Sequence, residues 1–154
     1  MPTPFEAVAT IPNACQALPT VVTGGQPTAA DFERFAAAGG TIVLDTRDPR
    51  EPRPLDEPAT LQKLGLRYEV VPIAAGLLTD ETLERIREVL WTAGDQNVLF
   101  HCASGNRVGA ALVAHLVLDR GMNEDDAVAQ ALRVGLRSPE LLAWARDYIR
   151  RSRA

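Results

Sequence analysis

Runs of apolar residues in this chain alternate between two periods, and the alternation predicts strands and helices in turn. Val21-Val22 reads as a short strand closed by the turn Gly24-Gly25-Gln26-Pro27. Thr28 then caps a helix through Ala38, with Asp31 as its capping partner and Phe32, Phe35 and Ala36 facing inward. Thr41 to Leu44 is a buried strand that runs into a loop dense in charge and proline, Asp45 to Pro54. Residues 57 to 64 form a short helix ending at Gly65, and Arg67 to Ile73 the next strand. Thr79 opens an amphipathic helix with the apolar stripe Leu83, Ile86, Val89 and Leu90, and with Glu81 and Arg85 at i,i+4 on its other face. Asn97 to Phe100 is a short apolar strand. Val108 to Arg120 is apolar nearly all round, which marks a central buried helix. Two further helices complete the chain, one capped by Asn123 with Asp126 and one by Ser138 with Pro139 at its first position. Residues 1 to 20, rich in proline and alanine, are expected to be irregular.

Strands alternating with helices imply an α/β fold, a central and mainly parallel sheet with helices on both faces. The 154 residues suit one domain spanning 1 to 154. In such sheets ligands bind beyond the C-terminal ends of the strands. The strand Asn97 to Phe100 delivers His101 and Cys102 to that edge, and the polar residues beyond Cys102 add chemistry to the fold.

The run His101-Cys102-Ala103-Ser104-Gly105-Asn106-Arg107 joins a strand to a buried helix with no side-chain cap of its own. A cysteine there feels the positive end of the helix dipole and unpaired backbone N–H groups, which favour the thiolate. The N–H groups of 103 to 107 can converge on an anion if the loop curls, and Gly105 permits the curling. Arg107 supplies a planar fork for two oxygens of a tetrahedral anion. Ser104 can donate to the sulfur, and His101 fixes the loop by hydrogen bonding rather than acting as a base. Residues 102 to 107 are thus read as an anion-binding loop, with Cys102 and Arg107 catalytic and His101, Ala103, Ser104, Gly105 and Asn106 contacting substrate.

The loop with its exit, His101 to Gly109, resembles the signature of the cysteine-dependent tyrosine and dual-specificity phosphatases. Together with Val22-Thr23-Gly24-Gly25-Gln26-Pro27, Val43-Leu44-Asp45-Thr46-Arg47 and Gly65-Leu66-Arg67-Tyr68, it is more closely similar to the phosphatase-like domain of the bacterial beta-lactamase-hydrolase-like proteins. That domain occurs alone or fused to metallo-hydrolases, and its members are also described as sulfurtransferases. The resemblance covers roughly residues 10 to 120. It implies a phosphatase-like α/β fold, Cys102 as nucleophile and Arg107 as oxyanion clamp.

Three departures qualify the implied activity. The phosphatase signature has five residues between Cys and Arg, whereas four intervene here, Ala103 to Asn106, a spacing similar to rhodanese-type sulfurtransferases. Val108 stands where a Ser or Thr usually comes after the Arg. The general acid expected just after the strand Arg67 to Ile73 is replaced by Ala74 and Ala75. Asp80 is the nearest carboxylate downstream and is taken as the candidate acid, although an Asp in a helix first turn is also favoured by the dipole alone. Asp45 and Asp48 are alternative donors, and Arg47 with Glu51 makes either an ion pair or a substrate contact.

The net charge of -4 and the absence of a long basic run argue against nucleic acid. The cluster Arg146 to Arg153 reads as a solvated helix end that complements the dipole. Two cysteines are too few for a disulfide framework, which with a polar cysteine loop points to a reducing, cytoplasmic setting. No signal peptide stands out, and the longest apolar stretch, Val108 to Leu118, is about half of the ~20 residues a membrane span needs. Cys15 reads as an ordinary loop cysteine, His115 as a core histidine, and Trp91 and Trp144 as packing. No residues have metal-ligand spacing and no cofactor is expected. The expected partner is a small phosphorylated or sulfur-bearing substrate, or a phosphoprotein, handled by a cysteine phosphatase or alternatively by a rhodanese-like sulfurtransferase.

Overall fold

The computed structural model describes residues 2–154. Its elements in chain order are α1 (Pro4–Ala7), β1 (Cys15–Leu18), β2 (Val21–Gly24), α2 (Ala29–Ala37), β3 (Gly40–Asp45), α3 (Glu57–Lys63), β4 (Arg67–Val70), α4 (Asp80–Thr92), β5 (Asn97–His101), α5 (Asn106–Leu118), α6 (Glu124–Val134) and α7 (Pro139–Arg153). The strands lie in the order β1-β2-β5-β3-β4. All neighbours are parallel except β1, which pairs antiparallel with β2.

Side-chain alternation along these strands feeds two cores, one on each face of the sheet. Val21, Ile42, Leu44, Val98 and Phe100 point to the face packed by α4 to α7. Val22, Val43 and Leu99 point to the other, against Phe32 and Phe35 of α2 and Leu61 of α3. The expected layered α/β architecture is the one observed. Helix α5 is buried along ten of its residues, Val108 to Val117, which accounts for its lack of a polar face. The caps at Thr28, Asn123 and Ser138 form as expected, the first as a reciprocal box with Asp31. Basic residues Arg150, Arg151 and Arg153 occupy the last turn of α7, where the dipole favours cations. No helix among the described residues is long and apolar enough to cross a membrane.

Three expectations are corrected. The segment 1 to 20 is not irregular: it holds α1 and β1. In β1, Cys15 and Ala17 alternate inward while Gln16 and Leu18 are half-buried, a pattern only four residues long and so too short to stand out in the sequence. Cys15 is accordingly a buried strand residue, not a loop one. Trp91 is 65% exposed, because the inward stripe of α4 runs through Leu83, Ile86 and Leu90 and leaves position 91 on the outer side; Trp144 is buried as expected. Arg85, on the outer face of α4, donates to the carbonyl of Val70 at 3.3 Å.

Candidate functional site

Strand β5 lies at the middle of the sheet between β2 and β3, and Cys102 comes directly after its last residue. The loop that Cys102 opens is held from outside by its carbonyl groups. The carbonyl of His101 accepts from the backbone N–H and the hydroxyl of Thr46, both at 3.0 Å. That of Cys102 lies 3.2 Å from Nδ1 of His101. Ala103 accepts from the N–H of Gln26 at 3.1 Å, and Ser104 from Nδ2 of Asn13 at 2.6 Å. Four successive carbonyls are therefore engaged away from the sulfur, leaving the inner side of the loop to N–H groups.

Gly105 donates its N–H to Sγ of Cys102 at 3.0 Å, and the N–H groups of Ala103 and Ser104 have no partner among the described residues. Helix α5 begins at Asn106 with no side-chain cap, so its first-turn N–H groups are open as well. Gly105 has φ of 96°, and a Cβ there would lie 2.7 Å from the Val134 carbonyl. Gly25, behind the loop, has no room for a side chain either: its Cβ would fall 2.4 Å from the Ala103 carbonyl. On the far side, Oδ1 of Asn106 accepts from the N–H groups of Arg137 and Ser138, tying the loop to the α6–α7 connection. Asn106 is thus a brace.

The sulfur takes its hydrogen bond from Gly105 and not from Ser104, whose position is exposed. Cys102 is 1% exposed. Arg107 meets the carboxylate of Glu51 end-on, Nη1 to Oε2 at 2.7 Å and Nη2 to Oε1 at 2.9 Å, and Nη1 also donates to the Ile73 carbonyl at 3.2 Å. Of the five N–H donors of a guanidinium, this leaves Nε–H and one Nη2–H, the parallel pair along one edge. The Glu51 bond raises the Arg107 pKa against the opposing effect of burial, and the Cys102 sulfur adds to the rise.

Two carboxylates near this centre, Glu51 and Asp48, are held ionised. Glu51 is held at about 2, first by its hydrogen bond to Arg107, which prevails over the opposing effect of burial with help from the Asp48 N–H and the charges of Arg107 and Arg47. Asp48 is also held at about 2, chiefly by hydrogen bonds from the Arg50 side chain and backbone. Asp45 is fully buried and accepts from Arg53 at 2.6 Å, from the Tyr68 hydroxyl at 2.5 Å and from the Arg47 N–H at 2.9 Å. Asp80 lies in the first turn of α4, and its carboxylate is joined to Arg151 of α7, not to any residue of 101 to 107. The proline-rich loop does close on the site, through Glu51, and the Arg47–Glu51 pair is real but long, at 3.4 Å.

Asp45, Glu57 and His101 bring potential metal-ligand atoms within 4.8 Å of one another. The Arg53 guanidinium already stands among them, on Asp45 at 2.6 Å and Glu57 at 3.5 Å, so a cation is supplied from within the chain. Cys15 is level with Thr23 of β2, which is level with Phe100 of β5. Two strand spacings of about 4.8 Å separate it from the Cys102 strand, beyond the ~7 Å that a disulfide tolerates. His115 is a satisfied core histidine, bonded to Asp119 at 2.9 Å. Glu51, Glu57 and Asn13 are the neighbours of the loop that its own sequence does not announce; only the charge-dense loop 45 to 54 and the glycine turn at 24 and 25 hinted at partners.

No family model matches the chain. It is 27% identical over 124 residues to the beta-lactamase hydrolase-like proteins of two Xylella fastidiosa strains, Temecula1 and 9a5c. The match takes in 78% of this chain but only 28% of theirs, so the chain spans little more than a quarter of the curated relatives' length. Among solved structures it is similar to a protein of the DUF442 group from Shewanella putrefaciens CN-32 proposed to be a phosphatase (TM-score 0.79, 18% identity, 96% of this chain and 97% of that one). It is also similar to Tk-PTP (0.73, 22%, 91% and 98%). TpbA from P. aeruginosa, solved in complex with pTyr, is a third (0.69, 19%, 90% and 83%). The fold is that of the tyrosine and dual-specificity phosphatases, and the relatives match the resemblance carried by the loop.

Proposed function

We propose that the protein is a cysteine-dependent phosphate-monoester hydrolase. The observation that carries this reading is the inner face of the loop. Sγ of Cys102, unpartnered N–H groups and the unspent edge of Arg107 together make a receptor for a tetrahedral anion with a nucleophile at its floor. In the reaction, the Cys102 thiolate attacks phosphorus in line, the bond to the leaving oxygen breaks, and a thiophosphate forms on Cys102. Water then cleaves the S–P bond, releasing inorganic phosphate and the thiolate. Loop N–H groups and Arg107 stabilise the equatorial oxygens in both steps. The likeness to phosphatases by fold, including one holding pTyr, supports the same reading.

Because Glu51 and Asp48 stay ionised, leaving groups that depart without a proton are preferred. A positioned acid typically contributes 10²–10⁴-fold, so aryl esters are favoured over alkyl ones. The same observation supports a second reading, sulfur transfer. There the Cys102 thiolate attacks the sulfane sulfur of a donor such as thiosulfate, sulfite leaves without needing a proton, and the resulting persulfide passes its outer sulfur to an acceptor thiol.

The test compares wild type with Cys102→Ser on an aryl phosphate and on thiosulfate with a thiol acceptor, with mass spectrometry of the Cys102 peptide. Phosphate release that vanishes in the variant supports the hydrolase. Persulfide on Cys102 with no phosphate release overturns it in favour of sulfur transfer. If Cys102→Ser retains either activity in full, the nucleophile itself is misassigned.

A further inference from the structure

The two edges of the sheet are finished differently. At β1 the carbonyls of Gln16 and Ala17 accept from Arg133 at 3.3 Å and Gln130 at 2.6 Å, both on α6, so that edge is covered. Strand β4 forms the other edge and pairs only with β3. Just beyond it, the N–H of Val71 donates to the Asp45 carbonyl of β3 at 2.9 Å. Main-chain groups alternate in direction along a strand. Those of Arg67 and Glu69 therefore face β3 as well, and those of Tyr68 and Val70 face outward. Among the described residues, the N–H groups of Tyr68 and Val70 and the carbonyls of Leu66 and Tyr68 have no hydrogen-bond partner. The Val70 carbonyl takes Arg85 at 3.3 Å, and the Leu66 N–H is spent on the Leu61 carbonyl at 3.0 Å.

One antiparallel register with a second copy matches these free groups. With Tyr68 opposite Tyr68, the two tyrosines exchange N–H···O=C bonds, and each Val70 N–H reaches the Leu66 carbonyl of the other chain. The groups left idle are the Val70 carbonyl and the Leu66 N–H, the two already engaged inside the chain. A pairing centred on Val70 would instead need the carbonyl bonded to Arg85, and would set Pro72, which has no N–H, against Tyr68. The side chains agree with the Tyr68 register. Arg67 falls opposite Glu69 of the second copy, at a Cβ separation where opposite charges attract. Within one chain these two side chains meet at 2.7 Å, and neither is buried. With Arg85 and Glu88 of α4 they line one shallow cavity, so this flank carries both signs of charge and meets its own copy without net repulsion.

We propose that the β4 edge binds a second copy of this chain by antiparallel strand addition about Tyr68, continuing the sheet across a two-fold axis. The patch is short and polar, at the small end of interfaces, so the association is reversible and concentration-dependent. It is independent of the reaction proposed for Cys102.

The test is the oligomeric state in solution. Sedimentation velocity from micromolar to millimolar protein is expected to show a monomer–dimer equilibrium that weakens with added salt. Arg67→Glu and Glu69→Arg each set like charges opposite one another and should associate about tenfold more weakly alone. An equimolar mixture of these two variants should form heterodimers, and the double variant Arg67→Glu/Glu69→Arg should regain wild-type association, because opposite charges face each other again. Val70→Pro removes a donor that has no partner inside the chain and should abolish the dimer while the circular dichroism spectrum is retained. A wild-type protein that stays monomeric throughout that range overturns the proposal. So does a dimer that survives Val70→Pro, or a pair of charge variants that fail to rescue each other when mixed.

Discussion

Glu51 meets Arg107 with both carboxylate oxygens, at 2.7 and 2.9 Å, across 56 residues of chain. The contact takes the end of the guanidinium and leaves its Nε edge for an anion. Replacing Glu51 with Ala should therefore lower kcat/KM on an aryl phosphate by about 10- to 100-fold, the range seen when a group that orients a catalytic side chain is lost. Steady-state kinetics decide it, and an unchanged kcat/KM would show that Arg107 orients itself.

The same carboxyl predicts an acid dependence. Its value in the folded chain, about 2, is below the ordinary 4.5, so the pairing contributes stability that is complete above pH 4.5 and lost as pH falls from there toward 2. Chemical denaturation across that window should fall off less steeply for Glu51→Gln than for wild type.

Gly105→Ala is expected to cost about 1–3 kcal/mol, since its φ of 96° is unfavourable for alanine. The added methyl would also meet the Val134 carbonyl at 2.7 Å. A drop in thermal midpoint together with weaker binding of orthovanadate is the expected pair of results.

Asn13 holds a left-handed backbone, φ 55°, while its side chain grips the Ser104 carbonyl. Asn13→Ala frees that carbonyl to turn inward. Binding of orthovanadate, measured by calorimetry, should weaken several-fold, in line with the ~1 kcal/mol of a typical hydrogen bond. The fold should be retained.

Asp80, joined to Arg151, belongs to the start of α4. Asp80→Asn should leave the pH profile of aryl-phosphate turnover as it is in wild type, and change stability by no more than the ~0–1 kcal/mol of an exposed ion pair. A lost alkaline limb would restore Asp80 as the general acid.

The fold and the loop from Cys102 to Arg107 were legible because both are local. The strand–Cys–loop–Arg–helix unit spans about twenty consecutive residues, and the apolar periods of α4 and α5 are strong. What escaped is what tertiary structure brings from a distance. Asn13 is 91 residues from Ser104, and Glu57 is 44 from His101. A charged residue in a proline-rich loop gives no sign of whether it faces water or a guanidinium, so Arg47 and Glu51 read as a pair while the shorter bond went to Arg107. Trp91 was misjudged because one residue along a helix turns a side chain by about 100°, enough to carry it from the core to the surface.

Four outward-turned carbonyls make the loop a filter before any bond is broken. A guest that needs to donate hydrogen bonds finds little to receive them, whereas any compact oxyanion finds donors in place. Sulfate and arsenate should therefore occupy the cradle even when Cys102 is replaced by alanine, and they should compete equally well with a phosphoryl or a sulfane donor. On the proposed reading, recognition by this loop is a matter of shape and charge, and the identity of the transferred atom would be decided one step later, by what the sulfur can displace.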